Sequence, residues 1–332
     1  MTSTCSVVIP SYNHARFLDD AIRSALAQRC AVTEVIVVDD GSTDDTAGVA
    51  RGHRGVRLIR QAHSGVSDAR NAGLRASRCE LIVFLDADDI LFPDAVGTGT
   101  GYLASNPEAV LAAGRCRLID RDGAELSAHW APPVSCAHYR ALLSTNFIWT
   151  PGAAVMRRSA VLASGGFCPD HPAAADYALY LRLARHGRFI CHDRHVVMYR
   201  LHGANMSLDA VEMLRATLAV LRAERPFVPR ELAPEYHESL RSWKDYYGDQ
   251  IADSLRESIR RPGGAARAAR LGAALLRYHP RGFFRHVGRK LAVEAGIRRA
   301  EPRPIVTPGG QFGATRQRSA DGKPQESSSV SR

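Results

Sequence analysis

Leu81-Ile82-Val83-Phe84-Leu85-Asp86-Ala87-Asp88-Asp89 is the stretch on which the fold turns. Its five leading apolar residues read as a strand buried on both faces, and the strand runs straight into three carboxylates. Ligands of α/β sheets bind beyond the carboxyl ends of the strands. Carboxylates this close raise one another's pKa unless a cation sits among them. The run therefore predicts a sheet with a site at its strand ends, where either some carboxylates stay protonated or a cation sits among them. The competing reading has Asp89 capping a helix that begins near Leu91, with Asp86 and Asp88 only bonding loop amides.

Upstream, the same grammar repeats. Cys5–Ile9 reads as a β-branched strand stopped by Pro10, with Ser11-Tyr12-Asn13 as a turn. Residues 15–28 carry Phe17, Leu18, Ala21, Ile22, Ala25 and Leu26 at helical spacing. Glu34–Val38 is a second buried strand ending in Asp39-Asp40-Gly41-Ser42-Thr43-Asp44, ahead of a helix at 45–51. A third strand, Val56–Ile59, leads into a helix from about Ser67 to Ala76. Strands alternating with helices in this way predict a parallel, Rossmann-like α/β sheet. The first strand is followed by neither a dinucleotide fingerprint nor a P-loop; the acidic or hydroxyl-rich loops that recur at the strand ends point instead to a nucleotide held by side chains and a metal ion. Downstream the pattern is mixed: a helix at 95–105, a strand at 110–119 with a hairpin turn, a helix at 139–143, a strand at 150–156, a helix at 174–186 and a strand at 189–199. Only helical periodicity follows.

The chain of 332 residues has room for a substantial core and an appendage. No apolar run reaches the length of a membrane span, and the N-terminus enters strand-like sequence without a secretory signal, so a cytosolic location is expected. Seven scattered cysteines without C-x-x-C spacing read as reduced thiols. The net charge of +10 is concentrated late: residues 215–332 hold 23 Lys+Arg against 12 Asp+Glu. A near-neutral first part argues against a nucleic-acid binder.

Six landmarks stand in one order: Val-Val-Ile-Pro-Ser-Tyr-Asn at 7–13, Val-Val-Asp-Asp-Gly-Ser-Thr-Asp at 37–44, Ala-Arg-Asn-Ala-Gly at 69–73, Phe-Leu-Asp-Ala-Asp-Asp at 84–89, Gly-Gly-Phe at 165–167 and Tyr-Arg-Leu-His-Gly-Ala-Asn-Met-Ser at 199–207. The set resembles the family 2 inverting glycosyltransferases of the GT-A fold. The resemblance implies a mostly parallel α/β sheet flanked by helices over residues 1–207. A basic helical extension at 208–300 and a disordered tail at 301–332 would follow.

The resemblance also implies roles. Tyr12 would lie against the nucleotide base, with Pro10 and Ser11 beside it, and Asp39 would accept from a base imide, which favours a UDP- or dTDP-sugar. Arg70 would stand beside the base and phosphates. Asp86-Ala87-Asp88 matches the D-x-D motif, with Asp86 and Ala87 on the nucleotide, Asp88 on Mg²⁺ or Mn²⁺, and His202 reaching the same metal; Asp89 is expected to cap a helix. Asp176 aligns with the base that deprotonates an acceptor hydroxyl on a glycan or lipid-linked glycan. Alanines at 175 and 178 replace acids usual in the family, which leaves open a nucleotide-sugar-binding protein with weak or no turnover. Residues 256–299, with 12 Lys+Arg against 2 acids, suit either an anionic membrane surface or a packed helical appendage with a solvated basic face.

Overall fold

The computed structural model describes residues 4–29, 32–126, 133–203, 205–280 and Phe284. The expected tail at 301–332 and most of the basic stretch beyond 280 lie outside the described residues.

The chain runs β1 (Cys5–Ser11), α1 (Ala15–Leu26), β2 (Glu34–Asp39), α2 (Thr46–Arg51), β3 (Val56–Arg60), α3 (Val66–Ala76), β4 (Leu81–Phe84), β5 (Ile90–Leu91), α4 (Ala95–Ser105), β6 (Ala109–Ile119) and β7 (Glu125–Leu126). It continues with α5 (His138–Ser144), β8 (Ala154–Arg157), α6 (Arg158–Ala163), α7 (Ala175–His186), β9 (Arg188–Arg200), α8 (Ala210–Glu224), α9 (Ala233–Arg260) and α10 (Ala265–Tyr278).

Among the described residues the strands form one sheet in the order β3-β2-β1-β4-β8-β6-β9-β5, with β7 paired antiparallel to the last residues of β6. The first four strands pair in parallel; β8 runs antiparallel to both β4 and β6, and β6 and β9 pair in parallel over a long bulged register. Every residue of β1 and β4 is buried, as expected of central strands covered on both faces. Gly73 lets α3 lie close on β1, since a methyl there would fall 2.2 Å from Cγ1 of Val8. One feature sets the site. β5 begins only six residues after β4 ends, yet it pairs antiparallel with β9 at the opposite end of the strand order. The sheet curls, and the end of β9 is brought to the acidic turn beyond β4.

The structure differs from the sequence reading in local ways. β1 does not stop at Pro10 but pairs with β2 through Ser11↔Asp39, while its pairing with β4 ends at Val8↔Phe84. Proline is tolerated there because one side of the strand no longer has a ladder to feed. The expected strand at 150–156 is a 3-10 turn at Pro151–Ala153 followed by β8, because the proline opens a turn before the strand starts. Cys79, Cys116, Cys136, Cys168 and Cys191 are unbridged thiols.

The late helices share one core with the sheet. α9 lays Trp243 and Tyr247, stacked at 5.6 Å, beside Tyr177 of α7, whose hydroxyl donates to the Leu142 carbonyl at 2.6 Å. α10 turns Leu271, Ala274 and Leu275 inward and packs on α9. Among the described residues no helix is long and apolar enough to cross a membrane.

Candidate active site

The carboxyl ends of β1, β2 and β4, the start of α3, the turn before α7 and the end of β9 converge on one cleft. Asp39, the last residue of β2, is fully buried; it accepts from the Ser42 backbone N–H at 2.9 Å and from Nε of Arg60 at 2.9 Å. A carboxylate has about four lone-pair positions, so acceptor capacity remains for a third donor. Asp40 is also buried and gathers the loop ahead of α3, accepting from Gln61, Ser64 and Gly65. Neither caps α2. That work falls to Asp44, which holds the Thr46 N–H and hydroxyl and the first N–H of α1.

Tyr12 is exposed and stacks on His63 at 3.9 Å, so both rings line the mouth of the cleft. Asn13, at φ 55°, accepts from the Thr43 N–H at 2.8 Å and ties this turn to the Gly-Ser-Thr loop. Ser11 is buried with its hydroxyl unpartnered. Ala87, expected on the nucleotide, instead has its side chain buried in the core at 2 % exposure, because the turn that points Asp86 and Asp88 outward points the residue between them inward.

Arg70 on α3 is buried and donates from Nη2 to Asp86 at 2.5 Å. Asp88 receives Nε2 of His202 at 2.8 Å. His14, at the head of α1, completes a group with Asp88 and His202 in which one ligand atom from each lies within 4.8 Å of the others. Two imidazoles and a carboxylate converging in this way fit a divalent transition cation. Phe17 stacks on His202 at 5.0 Å and sets the plane of the ring.

Asp89 is not the expected helix cap. α4 starts only at Ala95, and Asp89 is buried beneath the site, where it accepts from the Thr150 hydroxyl at 3.0 Å and the Arg200 N–H at 3.0 Å. Burial, and then the charges of Asp88 and Asp86, hold its carboxyl well above the usual range. Arg200 braces the same turn: it donates to the Asp88 carbonyl at 2.9 Å and to Asp20 at 2.9 Å. Thr150 and His14 lie outside the quoted motifs, and Arg200, although inside the landmark at 199–207, was given no role by the sequence.

Asp176 occupies the first turn of α7, half-buried, and accepts from the Tyr177 N–H at 2.7 Å. Burial pushes its carboxyl up to about 6, Arg70 pulls it down, and the Asp86 charge raises it again. The loop ahead of α7 is stitched to α3: the Asn71 amide donates to the Phe167 carbonyl at 2.7 Å and accepts its N–H at 2.9 Å. The Arg-Asn pair of one motif and the Gly-Gly-Phe of another are therefore mated surfaces. The chain thus brings Arg70, Asp86, Asp88, Asp176 and His202 together, with Asp39 at the neighbouring strand end, in register with Ser11.

Known proteins share this architecture. The sequence profile described as Glycosyl transferase family 2 matches residues 6–163. The succinoglycan biosynthesis protein ExoU of Rhizobium meliloti is 31 % identical over 269 residues, covering 71 % of this chain and 75 % of ExoU. Chondroitin synthase of Escherichia coli is 32 % identical over 227 residues, 63 % of this chain but only 30 % of that protein. Among solved structures, S. aureus TarS 1–349 in complex with UDP-GlcNAc superposes with a TM-score of 0.60 at 16 % identity, covering 84 % of this chain and 82 % of that one. The mannosyltransferase PcManGT of Pyrobaculum calidifontis, in complex with GDP-Man and Mn²⁺, gives 0.55 at 20 % identity over 88 % and 86 %. With the ordered motifs folded into one GT-A cleft, the chain belongs to glycosyltransferase family 2.

Proposed function

We propose that this chain moves a sugar from a UDP- or dTDP-sugar to a hydroxyl of a glycan or lipid-linked glycan, by single in-line displacement with inversion. The observation that carries this reading is Asp176: a carboxyl pushed up to about 6 by burial, beside Arg70 and Asp86. Such a group is ionised at neutral pH yet basic enough to take a proton from an attacking hydroxyl. Tyr12 and His63 would hold a base between the cleft mouth and Asp39, whose spare lone pairs suit an imide N–H. Arg70 keeps Asp86 oriented toward the ribose. His14, Asp88 and His202 would hold a divalent cation, which when bound stabilises charge on the departing diphosphate. We assign this chemistry to residues 1–207, with α8 and α9 packed against α7.

The relatives support polysaccharide assembly as the setting, since ExoU is named for succinoglycan biosynthesis and the synthase for chondroitin. In the basic stretch Leu271, Ala274 and Leu275 are buried and α10 packs on α9, while Leu276 and Phe284 are exposed, so packing uses only part of its apolar residues.

The test is donor turnover and UDP binding measured separately on Asp176→Asn and Asp88→Ala. Asp176→Asn should lose about 10²–10⁴-fold in transfer while still binding UDP. Asp88→Ala should lose cation-dependent UDP binding. Full turnover by both variants would sink the reading, and UDP binding without turnover by the wild type would favour a binding protein.

A further inference from the structure

A second cleft, of about 280 Å³, opens between the loop that leads into α7 and the helical extension. Its wall carries Arg215 and Arg222 from α8, Arg277 and Tyr278 from the end of α10, and His171 from the loop. Arg215 and Arg222 are seven residues apart on one helix and so share a face, about 10 Å apart along the axis. Arg277 enters from another helix, so the convergence of the three is made by tertiary packing.

The lining acids pair with only one of the three. Glu212 pairs with Arg215 at 3.2 Å, and Asp170 stands on the opposite loop. Among the described residues neither Arg222 nor Arg277 has a carboxylate partner; Arg277 lies only over the ring of its neighbour Tyr278, at 5.4 Å. Guanidinium groups present forks of N–H donors matched to oxyanions, and three of them with a histidine and a phenol suit a phosphate more fully than a single carboxylate. The cleft is also tied to the chemistry. His171 precedes Asp176 by five residues, a chain reach of no more than about 18 Å. The turn Pro172–Ala174 between them packs on α8.

We infer that this cleft binds a phosphate group carried by the acceptor, so that the acceptor is anchored through Arg222 and Arg277 while its hydroxyl reaches Asp176. The inference rests on the transferase reading for its purpose, but the binding it asserts is separate from it. The phosphate can be borne by a soluble glycan or by a lipid headgroup; the chemistry of recognition is shared.

The experiment titrates inorganic phosphate into the full chain by calorimetry with Mg²⁺ and saturating UDP present, so that the donor site is already filled. Wild type, Arg222→Ala/Arg277→Ala and Arg222→Lys/Arg277→Lys are compared, with UDP affinity measured for each. Both arginines are exposed, so the variants should fold and bind UDP as wild type does. Phosphate binding at least tenfold weaker in the alanine pair and largely kept in the lysine pair would support the site. A parallel arm uses phosphatidylglycerol vesicles in co-sedimentation. Arginine-dependent binding of vesicles without binding of free phosphate would assign the phosphate to a lipid. Phosphate and vesicle binding that ignore both substitutions, or no binding by the wild type in either arm, would overturn the inference. Failure of UDP binding in the wild type would instead count against the transferase reading and leave the phosphate measurement to be scored without UDP.

Discussion

Arg70 of α3 donates to Asp86 at 2.5 Å, and the same guanidinium lies 5.1 Å from the ring centre of Phe167. One side chain thereby joins three motifs that are far apart in sequence: Ala-Arg-Asn-Ala-Gly, Phe-Leu-Asp-Ala-Asp-Asp and Gly-Gly-Phe. Its charge also acts on Asp176. The consequences of that arrangement can be measured.

The first concerns proton transfer. Burial raises the Asp176 carboxyl from 3.8 to about 6, and Arg70 lowers it. If Asp176 is the base, kcat/KM should fall on the acid side with an apparent pKa near 6, and Arg70→Met should move that limb to higher pH. A flat profile between about pH 5 and 8 would count against Asp176 as the base. The sign for stability is opposite to that of an ordinary salt-bridged carboxylate. A carboxyl raised in the folded state opposes folding once ionised, so its cost is absent below the unfolded value, grows as pH rises toward 6 and is complete above it. Asp176→Asn should therefore be more stable than wild type by roughly 1–3 kcal/mol at pH 7.5, with the gain gone near pH 4, as read by urea unfolding.

A second prediction concerns the loop ahead of α7. Gly166 has φ 69°, and a methyl there would sit 2.5 Å from Oδ1 of Asn71, the atom that accepts the Phe167 N–H. Gly166→Ala should cost on the order of 1–3 kcal/mol, from the left-handed backbone and the disturbed Asn71 contact together. Because the two residues share that contact, a double-mutant cycle with Asn71→Ala should show a coupling of at least about 0.5 kcal/mol in urea melts. Additive losses would mean that the clamp is not a unit.

A third concerns the cation. His14, Asp88 and His202 bring their ligand atoms within 4.8 Å of one another. His14→Ala should weaken Mn²⁺ binding, measured calorimetrically with UDP present, by tenfold or more, and Asp88→Ala should abolish it. Unchanged Mn²⁺ affinity in His14→Ala would reduce the site to Asp88 and His202.

Much of this was legible before any coordinates. The strand Leu81–Phe84 and the helix Ala15–Leu26 stand where an apolar run and helical spacing placed them, because burial on both faces and the 3.6-residue period are local properties of a sequence. The resemblance of the ordered motifs led to Asp39, Arg70, Asp86, Asp88, Asp176 and His202; the fold places the last five beside one another and Asp39 at the end of a neighbouring strand. Asp89 was misread because an acid beyond a strand looks the same whether it caps a helix or is buried beneath a site. That the Ala87 side chain is buried was not legible, because a motif does not say which of its residues faces inward.

By itself the sequence determined the elements, their alternation and the acidic loops at the strand ends, since hydrophobic period and turn chemistry act over a few residues. Only the tertiary structure decided which distant groups meet. Asp89 receives the N–H of Arg200 across 111 residues, and Asp88 meets His202 across 114. Both contacts exist because β5 pairs with β9 and the sheet curls back on itself, carrying the end of β9 to the turn beyond β4. Arg215, Arg222 and Arg277 come to one cleft for a like reason: α10 buries its apolar face on α9, and the position of that helix follows from packing that no single stretch encodes.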